Sequence, residues 1–234
     1  TVCISGDEGH DVIVGCWGVD QIEAGTAIDV AFGGDGDDVF VATPGDGDDA
    51  HDGGAGSDTY DASAGTADAT IDLLAGTATS SDIGSDTLSG IENAVGGAGN
   101  DTIVADEEVN LLAGGEGEDV FVFRSSAAAG KGKGSRDKIL DFEVGDRIDL
   151  DDICKEFADA FEDTFKEQGI RRFVLIEQQE AFSEPGQIRF KYDTVDDQPV
   201  TVVEGNTDYD ADSEFEIELA GHYQLKDSDF YGAA

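Results

Sequence analysis

Methionine is absent from the chain, and no lysine or arginine appears before Arg124. Residues 1–123 hold 27 acidic side chains and no basic ones; the other 27 acids share the rest of the chain with all 13 bases. The net charge is −41. A stretch so charged and without internal counter-charge repels itself, and it excludes nucleic acid and anionic lipid as natural partners. A cation is the natural partner; disorder and a halophile-like surface are the alternatives, and periodicity decides among them. No apolar run is long enough to span a bilayer, and no N-terminal signal-peptide pattern is present. The Thr1-Val2 start fits either removal of an initiator Met or a piece of a longer chain. Cysteine is scarce: Cys3, Cys16 and Cys154 make no disulfide framework or CxxC metal motif, and they are expected to be buried or half-buried thiols. With only His10, His51 and His222, no H-E-x-x-H, no G-x-S-x-G and no phosphate-binding loop, no catalytic constellation can be assembled. The chain reads as non-enzymatic.

Glycine is abundant instead, and 23 of 32 glycines precede Arg124. They recur with aspartate every nine residues, as G-G-x-G-x-D-x-U-x with U large and apolar. The units are GDEGHDVIV (6–14), GCWGVDQIE (15–23), AGTAIDVAF (24–32), GGDGDDVFV (33–41), PGDGDDAHD (44–52) and GGAGSDTYD (53–61). A second block holds GGAGNDTIV (96–104), ADEEVNLLA (105–113) and GGEGEDVFV (114–122). Between the blocks, residues 62–95 are rich in Ala, Ser, Thr and Gly. An irregular but continuous stack is expected there, with a strand near Ala69–Leu74 and a weak unit at 87–95 that puts Glu92 in the aspartate slot.

Six loop residues and three strand residues make half a coil, so eighteen residues return the chain above itself. The U residues Ile13, Ile22, Phe40, Tyr60, Ile103, Leu112 and Phe121 then point inward. His51 takes that slot once, as a satisfied core histidine. Glycine lets the loop turn sharply and aim carbonyls inward. A short aspartate side chain reaches the same point. Stacked loops thus build cages of about six oxygens, the preference of a hard, flexibly coordinated cation: Ca²⁺ over Mg²⁺. The repeat's ligand positions offer neither thiolate nor imidazole, which argues against zinc or copper there. The frame pairs Asp11 with Asp29, Asp20 with Asp38, Asp29 with Asp49, Asp38 with Asp58, and Asp101 with Asp119; Glu92 and Asn110 form a weaker pair. Asp35, Asp37, Asp46 and Asp48 are expected to face solvent. Several calcium ions are implied, with metal binding and folding one event.

The stretch RSSAAAGKGKGSR (124–136) reads as a basic, solvated connector. Beyond it, KILDFEVGDRIDL suggests two strands and a turn, and Asp151–Gly169 a helix with Ile153, Phe157, Phe161 and Phe165 on one face. Arg172–Glu177, Gln187–Tyr192, Val200–Val203 and Phe215–Leu219 read as strands. Asn206, Asp208 and Asp210 space oxygens as an EF-hand loop begins, yet Ala211 stands where the loop's glycine belongs and Ile217 where its glutamate belongs.

The nonapeptides at 6–61 and 87–122 resemble those of the RTX, or haemolysin-type calcium-binding repeat, family. That resemblance implies a parallel β-roll in which each ion takes carbonyls from positions 1 and 3 of one loop, carbonyls from positions 2 and 4 of its stacked neighbour, and both position-6 aspartates. It assigns Gly15, Trp17 and Asp20 with Gly34, Gly36 and Asp38 to one site, and Gly33, Asp35 and Asp38 with Gly54, Gly56 and Asp58 to another. Gly96, Ala98 and Asp101 with Gly115, Gly117 and Asp119 make a third. Gly6, Glu8, Gly25, Ala27, Gly45 and Gly47 follow in the worn units, where Ala24 and Pro44 replace glycine. Residues 137–231 resemble the C-terminal region of serralysin-type secreted proteases, through DKILDFEVGDRIDLDDI, GQIRFKY, VVEGNTDYDADSEFEIELAG and LKDSDF. This implies a type I secretion signal at the C-terminus, although the chain ends in Gly-Ala-Ala. It also implies an extracellular or cell-surface location in a Gram-negative bacterium.

The expected fold is mainly β: a parallel β-roll over 1–123, a connector over 124–136, and a β-rich cap with one helix over 137–234. Three roles stay open: a calcium-dependent folding and export module, a subunit of a surface layer, adhesin or other extracellular assembly, and the C-terminal module of a larger secreted enzyme such as a metalloprotease.

Overall fold

The computed structural model describes residues 2–160, 173–178 and 180–231. The chain divides into two units, one running through Asp106 with Asn110–Val120, the other taking Glu107–Val109 and the chain from Phe121 onward.

In the first unit each nonapeptide ends in a short strand whose middle residue is buried. Val39–Val41 shows the pattern, with Phe40 fully buried between two half-buried valines. Strands β1 (Val2–Ser5), β3 (Asp20–Glu23), β5 (Val39–Val41), β7 (Thr59–Asp61), β11 (Asn93–Val95) and β13 (Leu111–Ala113) form one parallel sheet in that order. Strands β2 (Val12–Val14), β4 (Val30–Asp35), β6 (Ala50–Ala55), β10 (Gly84–Ser89), β9 (Thr77–Ser80), β8 (Ala69–Asp72) and β12 (Thr102–Val104) form the second. The register aligns the inward residues into columns. In the first sheet Ile4, Ile22, Phe40, Tyr60, Ala94 and Leu112 stand in line. Burial of each large apolar side chain contributes about 1.5–3 kcal/mol.

The stretch between the repeat blocks keeps the second sheet continuous. Strands β10, β9 and β8 pair antiparallel with one another in turn. Parallel pairing resumes with β6 on one side and β12 on the other. The expected strand near Ala69 is β8.

In the second unit, a short helix α1 (Ser126–Ala129) is capped by Ser125, whose side chain accepts from the Ala128 N–H. After β14 (Val120–Val122), strands β15 (Asp137–Ile139) and β16 (Arg147–Asp149) lead into helix α2, described over Asp151–Ala160. Phe161, Phe165 and Gly169, which the helix reading included, lie outside the described residues. Strands β18 (Gln187–Val195), β19 (Gln198–Asn206) and β20 (Phe215–Ala220) form an antiparallel meander. Its first turn holds Asp196 and Asp197 at φ +50° and +62°, the conformation a two-residue hairpin needs. Of the strand expected over 172–177, Arg172 lies outside the described residues and β17 covers Val174–Leu175, the two residues paired with β18. A 3-10 turn (Asp227–Asp229) precedes β21 (Phe230–Tyr231), which pairs with β16.

Two expectations need correction. Cys3 and Cys16 are exposed rather than buried, because both sit on the outward side of the first coil; only Cys154 is buried. The basic stretch is not wholly solvated either. Arg136 is buried on β20, with its Nε 2.6 Å from Glu216 and its Nη1 3.4 Å from Glu218.

Candidate metal centre

The aspartates of the nonapeptides stand in ladders. The Asp11 N–H donates to Asp29 Oδ1 at 2.7 Å, and the Asp29 N–H to Asp49 Oδ1 at 2.8 Å. On the other edge Asp20 donates to Asp38 at 2.8 Å and Asp38 to Asp58 at 2.7 Å. Asp101 donates to Asp119 at 2.7 Å. The structure therefore brings together all five aspartate pairs that the nine-residue frame places face to face. The two residues inserted between the units at 33–41 and 44–52 lengthen a loop without breaking the ladder.

Each ladder bond uses one carboxylate oxygen. The second oxygen, Oδ2, of Asp11, Asp29, Asp38, Asp49 and Asp58 is buried with no hydrogen-bond partner. Native structures leave few buried polar atoms unmatched, and a lone buried carboxylate oxygen is costly. Burial, followed by neighbouring charge, pushes Asp38, Asp49, Asp58 and Asp101 toward the neutral form. Asp38, Asp49 and Asp101 lie above the usual carboxylate range, and Asp58 is pushed up to about 6. Asp20 and Asp101 turn Oδ2 to the N–H of Cys16 and Gly97 in their own loops.

The glycines complete the cages. A Cβ on Gly33 would strike Asp38 Oδ2 and lie 2.6 Å from the Gly53 carbonyl oxygen; Gly96 and Gly114 stand in the same relation to Asp101 and Asp119. The space next to each aspartate exists because position 1 has no side chain. Gly34 and Gly36 adopt φ of +109° and +131°, which a side chain would oppose. At positions 2 and 4 of the stacked loops, Gly54, Gly56, Gly115 and Gly117 lie so near the carbonyls of Gly34, Gly36, Gly97 and Gly99 that no Cβ fits. Gly25 abuts the Asp7 carbonyl and Gly47 that of Ala27, while Gly6 and Gly15 lie under the carbonyls of Ala24 and Gly33. Glu8 and Trp17 bridge to Thr26 and Asp35 of the next coil, so their backbones are in register while the Trp17 ring is 89 % exposed. Ala27 holds φ +103° without being glycine, and Gly45 has open space around it. Ala98 is exposed, and its N–H donates to the Gly65 carbonyl. Oxygen donors, unmatched carboxylate atoms and side-chain-free cradles together suit a hard divalent cation.

Four residues depart from their expected roles. Asp46 is buried rather than solvent-facing, because its carboxylate caps the turn through the N–H groups of Thr43 and Gly47, and burial lifts it to about 6. Glu92 does join the ladder: its Oε2 accepts the Asp58 N–H at 2.9 Å. Asn110 is fully buried, and its amide donates to the Glu92 carbonyl and to Asp106 Oδ1. There a neutral amide puts N–H groups among oxygens, where other steps offer carboxylate. His51 is buried, but its Nδ1 finds no partner, so it is not the satisfied histidine expected.

Asp86 is a residue that repeat reading missed. Its Oδ1 accepts the Asp49 N–H at 2.8 Å, extending the ladder Asp11–Asp29–Asp49 by one step. The signal was present in Gly84-Ser85-Asp86-Thr87-Leu88-Ser89, which matches positions 4 to 9 of the unit. The next ladder acid, Glu92, follows after six residues instead of nine, and this shift hides the frame. Farther along, Asp208 and Asp210 meet Glu214, their ligand atoms within 4.8 Å of one another, whereas the Asn206 amide is engaged by the loop backbone.

With this geometry in view, the family models agree with it. Residues 49–231 match the model described as the peptidase M10 serralysin C terminal, and residues 14–49 match four copies of the RTX calcium-binding nonapeptide repeat. The chain belongs to the serralysin C-terminal family. No curated protein matches it. Among solved structures it is similar to two subunits of the mannuronan C5-epimerase of Azotobacter vinelandii. The AlgE6R3 subunit is 18 % identical at a TM-score of 0.38, over 96 % of this chain and 78 % of that one. The AlgE6R2 subunit is 17 % identical at a TM-score of 0.42, over 89 % and 92 %. The matched repeats are calcium-binding repeats, and both families are those of secreted proteins. No described helix is long and apolar enough to cross a membrane.

Proposed function

We propose that this chain is a non-enzymatic calcium-dependent β-roll module, exported by type I secretion and folded by calcium outside the cell. The observation that carries the reading is the set of five buried, unmatched aspartate oxygens in register along the stacked loops. Five ladder steps would each hold an ion: Asp11/Asp29, Asp20/Asp38, Asp29/Asp49, Asp38/Asp58 and Asp101/Asp119. The carbonyls of the position 1 to 4 residues complete each shell. Glu92/Asn110 would be a weak or vacant step, since Asn110 brings N–H groups toward the cage. Asp208 and Asp210, with Glu214, would be a looser site. Extracellular calcium modules bind at about 10⁻⁴–10⁻³ M, so the roll would stay open in a cell and close outside it.

A calcium titration followed by circular dichroism and light scattering tests this. The expected result is a cooperative coil-to-β transition near millimolar calcium that ends in a compact monomer. Equal β content in EDTA and in calcium refutes it. A transition that runs on to large particles favours a subunit of an extracellular assembly, a role that the exposed side chains of Val12, at 72 %, and Trp17, at 89 %, support. The match to the C-terminal part of a peptidase family supports a third role, as the folding and export module of a larger secreted enzyme; intact mass from the native source separates that role from a stand-alone protein.

A further inference from the structure

The inward column of the second sheet holds one residue unlike its neighbours. Ile13, Ala31 and Leu88 stand in register with His51 along β2, β4, β6 and β10. His51 is 5 % exposed, its ring packed at 5.1 Å from Phe40 and 5.8 Å from Tyr60. A polar ring in such a column must be matched or it destabilises the core. Its Nδ1 is buried without a partner, and so is Oδ2 of Asp49, the residue just before strand β6. Asp86 enters from the adjacent strand. Its Oδ1 holds the Asp49 N–H, and its Oδ2 accepts from the Tyr60 hydroxyl. His51 Nε2 stands 4.0 Å from that same Oδ2, too far for a hydrogen bond. The ligand atoms of Asp49, His51 and Asp86 lie within 4.8 Å of one another, and all three side chains are buried.

A zinc ion binds nitrogen and oxygen at about 2.0–2.2 Å in tetrahedral geometry, so two ligands on one ion stand about 3.4 Å apart. The 4.0 Å between His51 Nε2 and Asp86 Oδ2 is too long for a hydrogen bond and would close by about 0.6 Å around such an ion. The Tyr60 hydroxyl does not block ligation, because a carboxylate oxygen accepts a hydrogen bond through one lone pair and binds metal through another. Such a bond is the outer-shell support that metal-ligating carboxylates ordinarily have.

We infer that Asp49, His51 and Asp86 form an interior site for one borderline divalent metal ion of the zinc class, beside the calcium ladder. Imidazole suits zinc and its neighbours, while calcium takes oxygen. The site shares Asp49 with the Asp29/Asp49 calcium step, so that Asp49 Oδ2 would bridge the two ions, while the histidine, not the loop carbonyls, selects the zinc-class ion.

The test dialyses the protein, held in 10 mM calcium, against micromolar zinc chloride and counts retained zinc by elemental analysis; cobalt replaces zinc for a visible spectrum. The expected result is one zinc per chain, with cobalt bands of a nitrogen-ligated, low-coordinate ion. His51→Phe should retain none and lose those bands. Phe40 and Phe121 fill the same slot in other units, so this variant suits the fold, and calcium-dependent β content measures whether it does. His10→Asn and His222→Asn should keep the zinc. The inference is overturned if the wild type retains no zinc, if His51→Phe retains as much as the wild type, or if the cobalt spectrum shows oxygen-only, six-coordinate ligation. That spectrum is read on the wild type, so it decides even if the variant does not fold. Failure of the calcium reading would appear separately, as β content indifferent to calcium.

Discussion

Asp38 stands in the middle of its ladder, with Asp20 on one side and Asp58 on the other. If adjacent aspartates share an ion, Asp38→Asn damages two sites while Asp11→Asn, whose ladder partner among the described residues is Asp29, damages one. The asparagine oxygen can still accept the Asp20 N–H, so the ladder bond survives and only charge and one ligand atom are lost. With site affinities of about 10⁻⁴–10⁻³ M, 10 mM calcium stabilises the folded state by about 1.4–2.7 kcal/mol per site. Asp38→Asn should therefore cost about 3–5 kcal/mol in 10 mM calcium, and Asp11→Asn about half as much. Asp38→Ala should add a further 1–3 kcal/mol or so, because the buried Asp20 N–H loses its acceptor. Urea unfolding at 10 mM calcium measures all three, and calorimetric titration should show two fewer ions for Asp38→Asn. Equal losses for Asp38→Asn and Asp11→Asn would refute the shared-ion reasoning. So would an unchanged ion count.

Four other outcomes follow from the same geometry. Asp58 and Asp46 sit near 6 and Asp86 near 7 in the metal-free protein, raised first by burial. A carboxylate whose folded pKa is raised favours the folded state below its unfolded value of about 3.9 and opposes it as pH climbs through 6 to 7. In EDTA, acidification toward pH 4 should then recover β content by circular dichroism, and the calcium midpoint should fall as pH rises from 5 to 7.5; a pH-independent midpoint counts against proton–calcium exchange. Ala27→Gly should stabilise the roll by about 1 kcal/mol in urea titrations, since Ala27 holds φ +103°. Arg136→Met should destabilise the second unit by about 2–4 kcal/mol, because the buried Glu216 and Glu218 lose their shared guanidinium and keep only Lys191 and Lys138, with calcium stoichiometry unchanged in the same calorimetric assay. Trp17, the single tryptophan, is 89 % exposed, so its emission maximum should hardly move on calcium-induced folding while the far-ultraviolet signal changes fully.

What could be read from residues alone was whatever repeats. Nine-residue spacing fixes which aspartate lies above which, because an eighteen-residue coil leaves no freedom in the register. The pairing of Asp20 with Asp38 and the burial of Phe40 both follow from that count. What escaped was local exception. Asp46 looks like any other loop aspartate, and only the fold shows it capping its own turn. Asp86 vanished from view because six residues separate it from Glu92 where nine were expected. In the second unit the calcium logic gives way to ordinary ion pairing. Arg136, Lys138, Arg189 and Lys191 gather around Glu204, Glu216 and Glu218 on adjacent strands. Nothing in the local sequence announces that cluster, since Arg136 and Glu216 lie 80 residues apart.

That contrast bears on the order of assembly. The first unit has no lysine or arginine through residue 123, so its buried aspartates can be neutralised only by protons or metal. The second unit supplies its own cations as side chains, and its central pairs need no ion from solution. The two units should then separate in a calcium titration. In EDTA at pH 7.5, hydrogen exchange should find the β18–β19–β20 meander protected while the amides of Asp20, Asp38 and Asp58 exchange at unfolded-chain rates. Adding 10 mM calcium should protect those three together, because each donates into the ladder one step along. Protection of Asp20 and Asp38 in EDTA would mean that the ladder stands without a cation, and the account of its unmatched oxygens would fall with it.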